Sequence, residues 1–327
     1  MKITVIGGAG FVGTNLCQAL KDRLMPFEII DLKMSRRFPA ESKIGDVRNL
    51  KSLARTISGD LVVNLAAVHR DDVLDPNDYY QTNVIGAQNL SEICSEKKIK
   101  KIVFTSSVAV YGFAEPGTGE DGPINPFNEY GKTKFQAEEV LREWHADKDK
   151  SLIIVRPTVI FGEGNRGNVY NLFNQIFQNK FVMIGSGKNV KSMAYIENIV
   201  AFLLECIKAD VPYAVYNYVD TPDLNMNKLI SLIKKQFTGS ENVGLRVPYS
   251  IGLVVGLIAD VYSKVTSRKS TVSAIRVKKF CASTSFSSKK SELGGFSPPL
   301  SLEAGLIKTL VSEFHNADCD REIFYTE

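Results

Sequence analysis

Two periodicities alternate along the first half of the chain. Short runs of β-branched and other apolar residues stand at 3–6, 28–31, 61–65, 101–105 and 152–155. Between them, apolar residues recur every three or four positions over 12–23, 50–57, 79–97 and 130–145. The first signal predicts strands buried on both faces, the second amphipathic helices. Strands alternating with helices at these spacings predict an α/β fold, a Rossmann-type doubly wound parallel sheet. After Arg156 the pattern loosens. Gly162, Gly164, Gly167, Gly185 and Gly187 mark loops, and helical spacing returns at 169–179, 198–207 and 226–237. The expected organisation is a Rossmann domain over 1–160, completed by about 190–220, and a smaller substrate-binding lobe from 161–189 and 221–327.

Composition narrows the class. The chain has 327 residues, 44% of them hydrophobic and 23% charged, with a net charge of +4. Those are the proportions of a globular protein, not of a disordered or collagen-like one. The charge is unevenly spread. Residues 251–300 hold eight basic side chains (Lys264, Arg268, Lys269, Arg276, Lys278, Lys279, Lys289, Lys290) against Asp260 and Glu292, a local net of +6. Five cysteines without a C-x-x-C pair and three scattered histidines signal neither a disulfide framework nor a metal site. The N-terminal MKITVIGGAGFVG reads as a first strand, because glycines cut its apolar run where a signal peptide would continue. No apolar stretch approaches the about 18 residues of a membrane span. A cytoplasmic protein is expected.

The turn Gly7-Gly8-Ala9-Gly10-Phe11-Val12-Gly13 joins the first strand to the first helix. Glycine suits a tight turn whose backbone must approach a pyrophosphate at a helix N-terminus, where free N–H groups attract an anion. The second strand ends on Asp31, 18 residues after Gly13, where a carboxylate accepts both ribose hydroxyls of NAD. Lys33, Arg36 and Arg37 follow and leave NADP open, with Asp31 favouring NAD.

Tyr130 and Lys134, four residues apart, share a face at the start of a predicted helix. The strand end Phe104-Thr105-Ser106-Ser107 precedes them, and ligands of doubly wound sheets bind at such ends. With these pieces in place the chain resembles the NAD-dependent sugar epimerase/dehydratase family, the extended short-chain dehydrogenase/reductases. The resemblance rests on VIGGAGFVG, Gly45-Asp46-Val47, Asn64-Leu65-Ala66-Ala67, Thr82-Asn83-Val84, SSVAVYG, YGKTK and RPTVIFG, in family order. One departure is Ile6, where many members have Thr. The resemblance implies a catalytic set of Ser107, Tyr130 and Lys134. Tyr130 would act as proton acceptor, Ser107 would hold the reacting oxygen, and Lys134 would also bind the nicotinamide ribose. It places Gly7, Gly10, Phe11, Val12, Gly13 and Asp31 on NAD, Asp46 and Val47 beside the adenine, and Leu65, Ala66 and Ala67 along the pyrophosphate and ribose. Dehydratases of the family carry an acidic pair after the serine; here Val108 and Ala109 stand there, which implies a 4-epimerase working through a 4-keto sugar.

The same resemblance implies a diphospho-sugar substrate gripped by Lys191 and Arg276, with Arg166 and Asn168 as further contacts; His69 and Arg70 follow the strand end at 61–65, where they either face the substrate cleft or stabilise the loop. The resemblance implies a homodimer through the helices at 79–97 and 130–145; the basic segment, which contains Arg276, does not point to nucleic acid. The Arg276 site lacks the Gly-Asp that follows it in the familiar UDP-hexose 4-epimerases. Longer strings (AVHRDDV, NRGNVYN, YNYVD with PDLNMN, RVKKFC) are similar to a narrower group that interconverts N-acetylhexosamines on undecaprenyl diphosphate for O-antigen and other surface glycans. A UDP-linked sugar, or a net oxidoreduction, is the alternative. The apolar run 249–259, followed by Lys264, Arg268 and Lys269, is too short to span a bilayer. It could rest on the inner face of the membrane or pack as a helix within the lobe.

Overall fold

The computed structural model describes residues 1–69, 73–146, 149–266, 273–316 and 321–325, the side chains of 264 and 265 excepted. The chain begins with β1 (Ile3–Ile6), α1 (Phe11–Asp22), β2 (Phe27–Asp31), β3 (Ser42–Ile44), α2 (Leu50–Thr56) and β4 (Leu61–Asn64). A single turn α3 (Asn77–Tyr79), a π-helical stretch (Tyr80–Ile85) and α4 (Gly86–Glu96) then run on without a break. Next come β5 (Lys101–Thr105), a 3-10 turn (Val108–Tyr111), α5 (Glu129–His145), β6 (Ser151–Pro157) and β7 (Val159–Phe161). The remainder is α6 (Asn168–Phe177), β8 (Met183–Ile184), β9 (Val190–Lys191), β10 (Met193–Tyr195), α7 (Ile196–Lys208), β11 (Tyr213–Tyr218), β12 (Leu224–Asn225), α8 (Met226–Thr238), β13 (Arg246–Val247), α9 (Tyr249–Thr266), α10 (Ala274–Cys281) and α11 (Leu302–Leu310).

Seven strands form one sheet in the order β11-β6-β5-β4-β1-β2-β3, every neighbour parallel. This is the expected doubly wound arrangement. The five strands read from the sequence are present, and β3 and β11 extend the sheet at its two edges. The order reverses beside β1, so the ends of β1 and β4 open a crevice between them, the usual ligand position.

Alternate residues of each strand feed two different cores. Ile3, Val5, Val63 and Val103 pack with Leu16 and Leu20 of α1 and Ile199 and Leu203 of α7. Ile6, Val62, Ile102 and Phe104 pack with Leu53, Leu90, Ile93 and Leu141 of α2, α4 and α5. Each buried aliphatic side chain contributes about 1.5–3 kcal/mol, so both faces hold the strands rigidly and fix the positions of their C-terminal ends. Cys17, Cys94 and Cys206 are buried in these helices.

The later elements make short two-stranded pairs: β10 with β7, β12 with β9, and β13 with β8. In α9 the usual amphipathic logic is inverted. Gly252 and Gly256 face the protein; a Cβ at Gly252 would stand 2.6 Å from Ile184, and one at Gly256 2.7 Å from the Ala274 backbone nitrogen. The large apolar residues Ile251, Val254, Val255, Leu257, Ile258, Val261 and Tyr262 point outward, each half exposed or more.

Candidate active site

The glycine turn is built by close backbone approach. Gly7 has φ +79°, and a Cβ at Gly13 would stand 2.4 Å from the Gly7 carbonyl oxygen. Gly10 begins α1 with no side-chain cap, and no acidic residue lies in the first turn. The first N–H groups of a helix have no partner within it, so Phe11, Val12 and Gly13 present donors and a positive dipole end to an anion. Asp31 closes the turn from the neighbouring strand, its carboxylate accepting from the Ala9 backbone N–H at 3.0 Å. An uncapped helix start, side-chain-free glycines and a carboxylate beside them fit a dinucleotide. Leu65, Ala66 and Ala67 continue from β4 across the crevice and are half-buried. Val47 is buried against Gly86. Asp46 is half-buried, and the Arg48 guanidinium chelates its carboxylate at 2.8–3.0 Å and lowers its pKa.

Ser107, Tyr130 and Lys134 come together at the C-terminal end of β5. Ser107 leaves the strand in extended conformation and caps the 3-10 turn, its Oγ accepting from the Ala109 N–H at 3.1 Å. Asn128 caps α5 by accepting from the Gly131 N–H at 2.9 Å, which sets the register that puts Tyr130 and Lys134 on one face. Burial raises the Tyr130 phenol, a hydrogen bond with Ser107 opposes that rise, and Tyr79 adds to it. Lys134 is almost wholly buried. Its Nζ lies 4.2 Å from the Phe104 ring centroid and makes no hydrogen bond among the described residues. Burial pushes its pKa down to about 7, against the pull of the Glu138 charge. A buried ammonium with free donors beside a buried serine and a tyrosine can hold a diol or polarise an alcohol.

Two supports carry no role assigned from the sequence, although Asn83 stands in one of the family strings. Asn83, in the π-helical stretch, exchanges hydrogen bonds with the Val68 backbone and donates to Thr133 Oγ1 at 3.0 Å. It ties the end of β4 to α5. Glu138 lies fully buried one turn beyond Lys134. Its signal was present: Lys134, Ala137, Glu138 and Leu141 share one helical face, so a carboxylate sits in the core-facing stripe.

The expected substrate contacts divide. His69 is exposed just past β4, Asn168 is exposed at the start of α6, and Arg276 is exposed in the first turn of α10. Arg70 lies outside the described residues, as do Arg268 and Lys269. Lys191 and Arg166 are engaged inside the protein. Lys191 Nζ donates to the Lys279 and Ala282 carbonyls at 2.8 and 2.6 Å, neutralising the negative end of α10; burial brings its pKa to about 8. Arg166 pairs with the buried Glu313 at 2.5 Å and stacks 3.9 Å over the Tyr170 ring.

Residues 3–218 match the model of the NAD dependent epimerase/dehydratase family. Over its full length the chain is 47% identical to an Escherichia coli O157:H7 protein, covering 99% of it, that is named N-acetyl-alpha-D-glucosaminyl-diphospho-ditrans,octacis-undecaprenol 4-epimerase. Among solved structures it resembles UDP-N-acetylglucosamine 4-epimerase from Bacillus cereus, with TM-score 0.75 and 19% identity over 95% of this chain and 98% of that one. It likewise resembles UDP-glucose 4-epimerase from Thermotoga maritima, with TM-score 0.76 and 21% identity over 97% and 100%.

Proposed function

The chain belongs to the NAD-dependent epimerase/dehydratase family, and from that premise we propose that it is a 4-epimerase of N-acetylhexosamine carried on undecaprenyl diphosphate. The observation that carries the chemistry is one serine–tyrosine–lysine cluster at the end of β5, with no acid or base at the two positions after the serine. The cluster can move one proton to and from one hydroxyl, which is all that inversion through a ketone requires. Elimination of water would need further acid–base groups on the neighbouring carbons.

In this reading Tyr130 takes the proton of the carbon-4 hydroxyl and returns it after the sugar has turned over. Ser107 fixes the reacting oxygen against Tyr130. Lys134 holds the ribose of the dinucleotide and, when protonated, lowers the cost of the phenolate. NAD, bound on the glycine turn, Asp31 and residues 65–67, supplies a reversible hydride acceptor and a positive ring charge that favours the same phenolate. The carbons of the sugar end with no net oxidation.

The carrier is assigned from the 47% identical relative and from the long strings around Arg166, Asp220 and Arg276. Arg276, His69 and Asn168 are the proposed contacts to the diphospho-sugar; Lys191 and Arg166 shape the part of the protein that presents Arg276 and Asn168, while His69 follows β4. The lobe comprises 161–189 and 221–327. A homodimer through α4 and α5 belongs to the same reading.

So does a seat on the inner face of the membrane. No described helix is long and apolar enough to cross a bilayer. The glycine-inward, apolar-outward α9 has the character of a helix lying in an interface, and the basic residues after it suit anionic headgroups. Tyr130→Phe tests the chemistry. It should lower turnover by at least about 100-fold with NAD still bound, and the unchanged enzyme should form epimer without accumulating NADH; full turnover in the variant would refute the assignment.

A further inference from the structure

We propose that Glu138 is a positioning residue for the reaction: its buried carboxylate holds the strand end that carries Ser107 and keeps Lys134 charged beside Tyr130. The inference rests on the assignment of Lys134 above. Glu138 has no solvent exposure. Oε1 accepts from Ser106 Oγ at 2.5 Å and from Arg156 Nε at 2.8 Å. Oε2 accepts from Arg156 Nη2 at 2.6 Å and from Arg142 Nη2 at 2.7 Å. Arg156 is itself buried on β6, and its Nη1 donates to the Tyr111 hydroxyl at 2.6 Å, which donates to Asn217 at 2.8 Å. One carboxylate thus joins the residue before Ser107, the helix of Tyr130 and Lys134, and β6 next to β5 in the sheet.

Stability does not explain this arrangement. A buried ion pair is often no better than apolar packing of the same volume, and the neighbours of Glu138 on its helical face are Ala137 and Leu141. A charge kept there has electrostatic work to do on the side chain one turn away. The Phe104 ring on β5 lies against the Lys134 ammonium, and the elements packed on α5, which itself carries Tyr130, Glu138 and Arg142, bring Arg156 on β6, Tyr111 on the 3-10 turn and Tyr79 on α3. Cys94 on α4, which also packs against α5, has its thiol pushed up to about 12 by burial and is therefore neutral. Glu138 is the carboxylate whose charge acts on Lys134, and it opposes the loss of the Lys134 proton to burial.

Glu138→Gln removes the charge and keeps the shape. The alkaline limb of the pH–turnover profile, where Lys134 loses its proton, should move down by at least one pH unit. NAD affinity measured by calorimetry across the same range should fall off at the same lower pH. Glu138→Asp should leave the limb in place. Ser106→Ala should lower turnover by a common factor at every pH without moving it. Should Glu138→Gln be too unstable to purify, Glu138→Gln/Arg156→Met leaves no bare buried cation and should still show the lowered limb. Wild-type limb positions in the charge-removing variant, whatever its turnover, would reduce Glu138 to a structural residue. Retained turnover in Lys134→Met would instead overturn the assignment of Lys134 itself.

Discussion

A lysine buried against a phenylalanine ring lowers the stability of the protein that holds it. Folding brings the Lys134 pKa from 10.5 to about 7. Between those values the unfolded chain binds a proton that the folded chain does not, so the contribution of this group makes stability rise with pH across roughly 7 to 10.5. Below 7 the burial cost is present in full. Lys134→Met should therefore raise stability in urea at pH 7 by about 1–2 kcal/mol while lowering turnover by at least about 100-fold. A variant that is less stable, or that turns over normally, would count against the account. The tyrosine, the lysine and the glycine turn were legible in the sequence, because their chemistry needs fixed local spacing within one or two elements. Glu138 was passed over although it stands in the stripe of Ala137 and Leu141, since a charge on a helix ordinarily reads as a solvated face. Lys191 and Arg166 were legible only as charges. Their partners, Lys279, Ala282 and Glu313, lie 88 to 147 positions away, and nothing local announces them.

At the scale of elements, the central strands could be read because a strand covered on both faces is apolar throughout. The two edge strands resist the same reading. β3 has three residues, and β11 alternates tyrosines with smaller residues and an asparagine, so neither presents a continuous apolar run. The run at 249–259 was legible as apolar but not as an inverted helix; only contacts with Ile184 and Ala274 reveal that glycines form its inner face. The outward positions Ile251, Val254, Val255, Ile258 and Tyr262 recur at helical spacing. Burying such a stripe in an interface adds apolar and electrostatic attraction together. Wild-type protein should sediment with vesicles containing phosphatidylglycerol, and Val254→Asn/Val255→Asn/Ile258→Asn should lose about tenfold or more of that partition. Equal sedimentation of the two proteins, or none by either, would remove the membrane seat. So would a stripe that serves only to pair two copies of the chain.

Over the whole molecule, the small net charge conceals a division. In the proposed function the sheet half binds NAD at the ends of β1 and β4, and Ser107, Tyr130 and Lys134 stand at the end of β5. The basic excess lies in the segment that holds α9, α10 and Arg276. That separation suits a substrate whose sugar must enter the crevice while its diphosphate and lipid stay outside it. Fold and cofactor followed from the order of strands and glycines. The carrier did not, because a diphosphate looks the same to an arginine whether a nucleoside or a polyprenol lies beyond it. The most direct test incubates the purified protein separately with GlcNAc-diphospho-undecaprenol in detergent and with UDP-GlcNAc, followed by mass-balanced sugar analysis. The account predicts GalNAc from the lipid-linked substrate, well ahead of any from UDP-GlcNAc. Conversion of UDP-GlcNAc alone would contradict it.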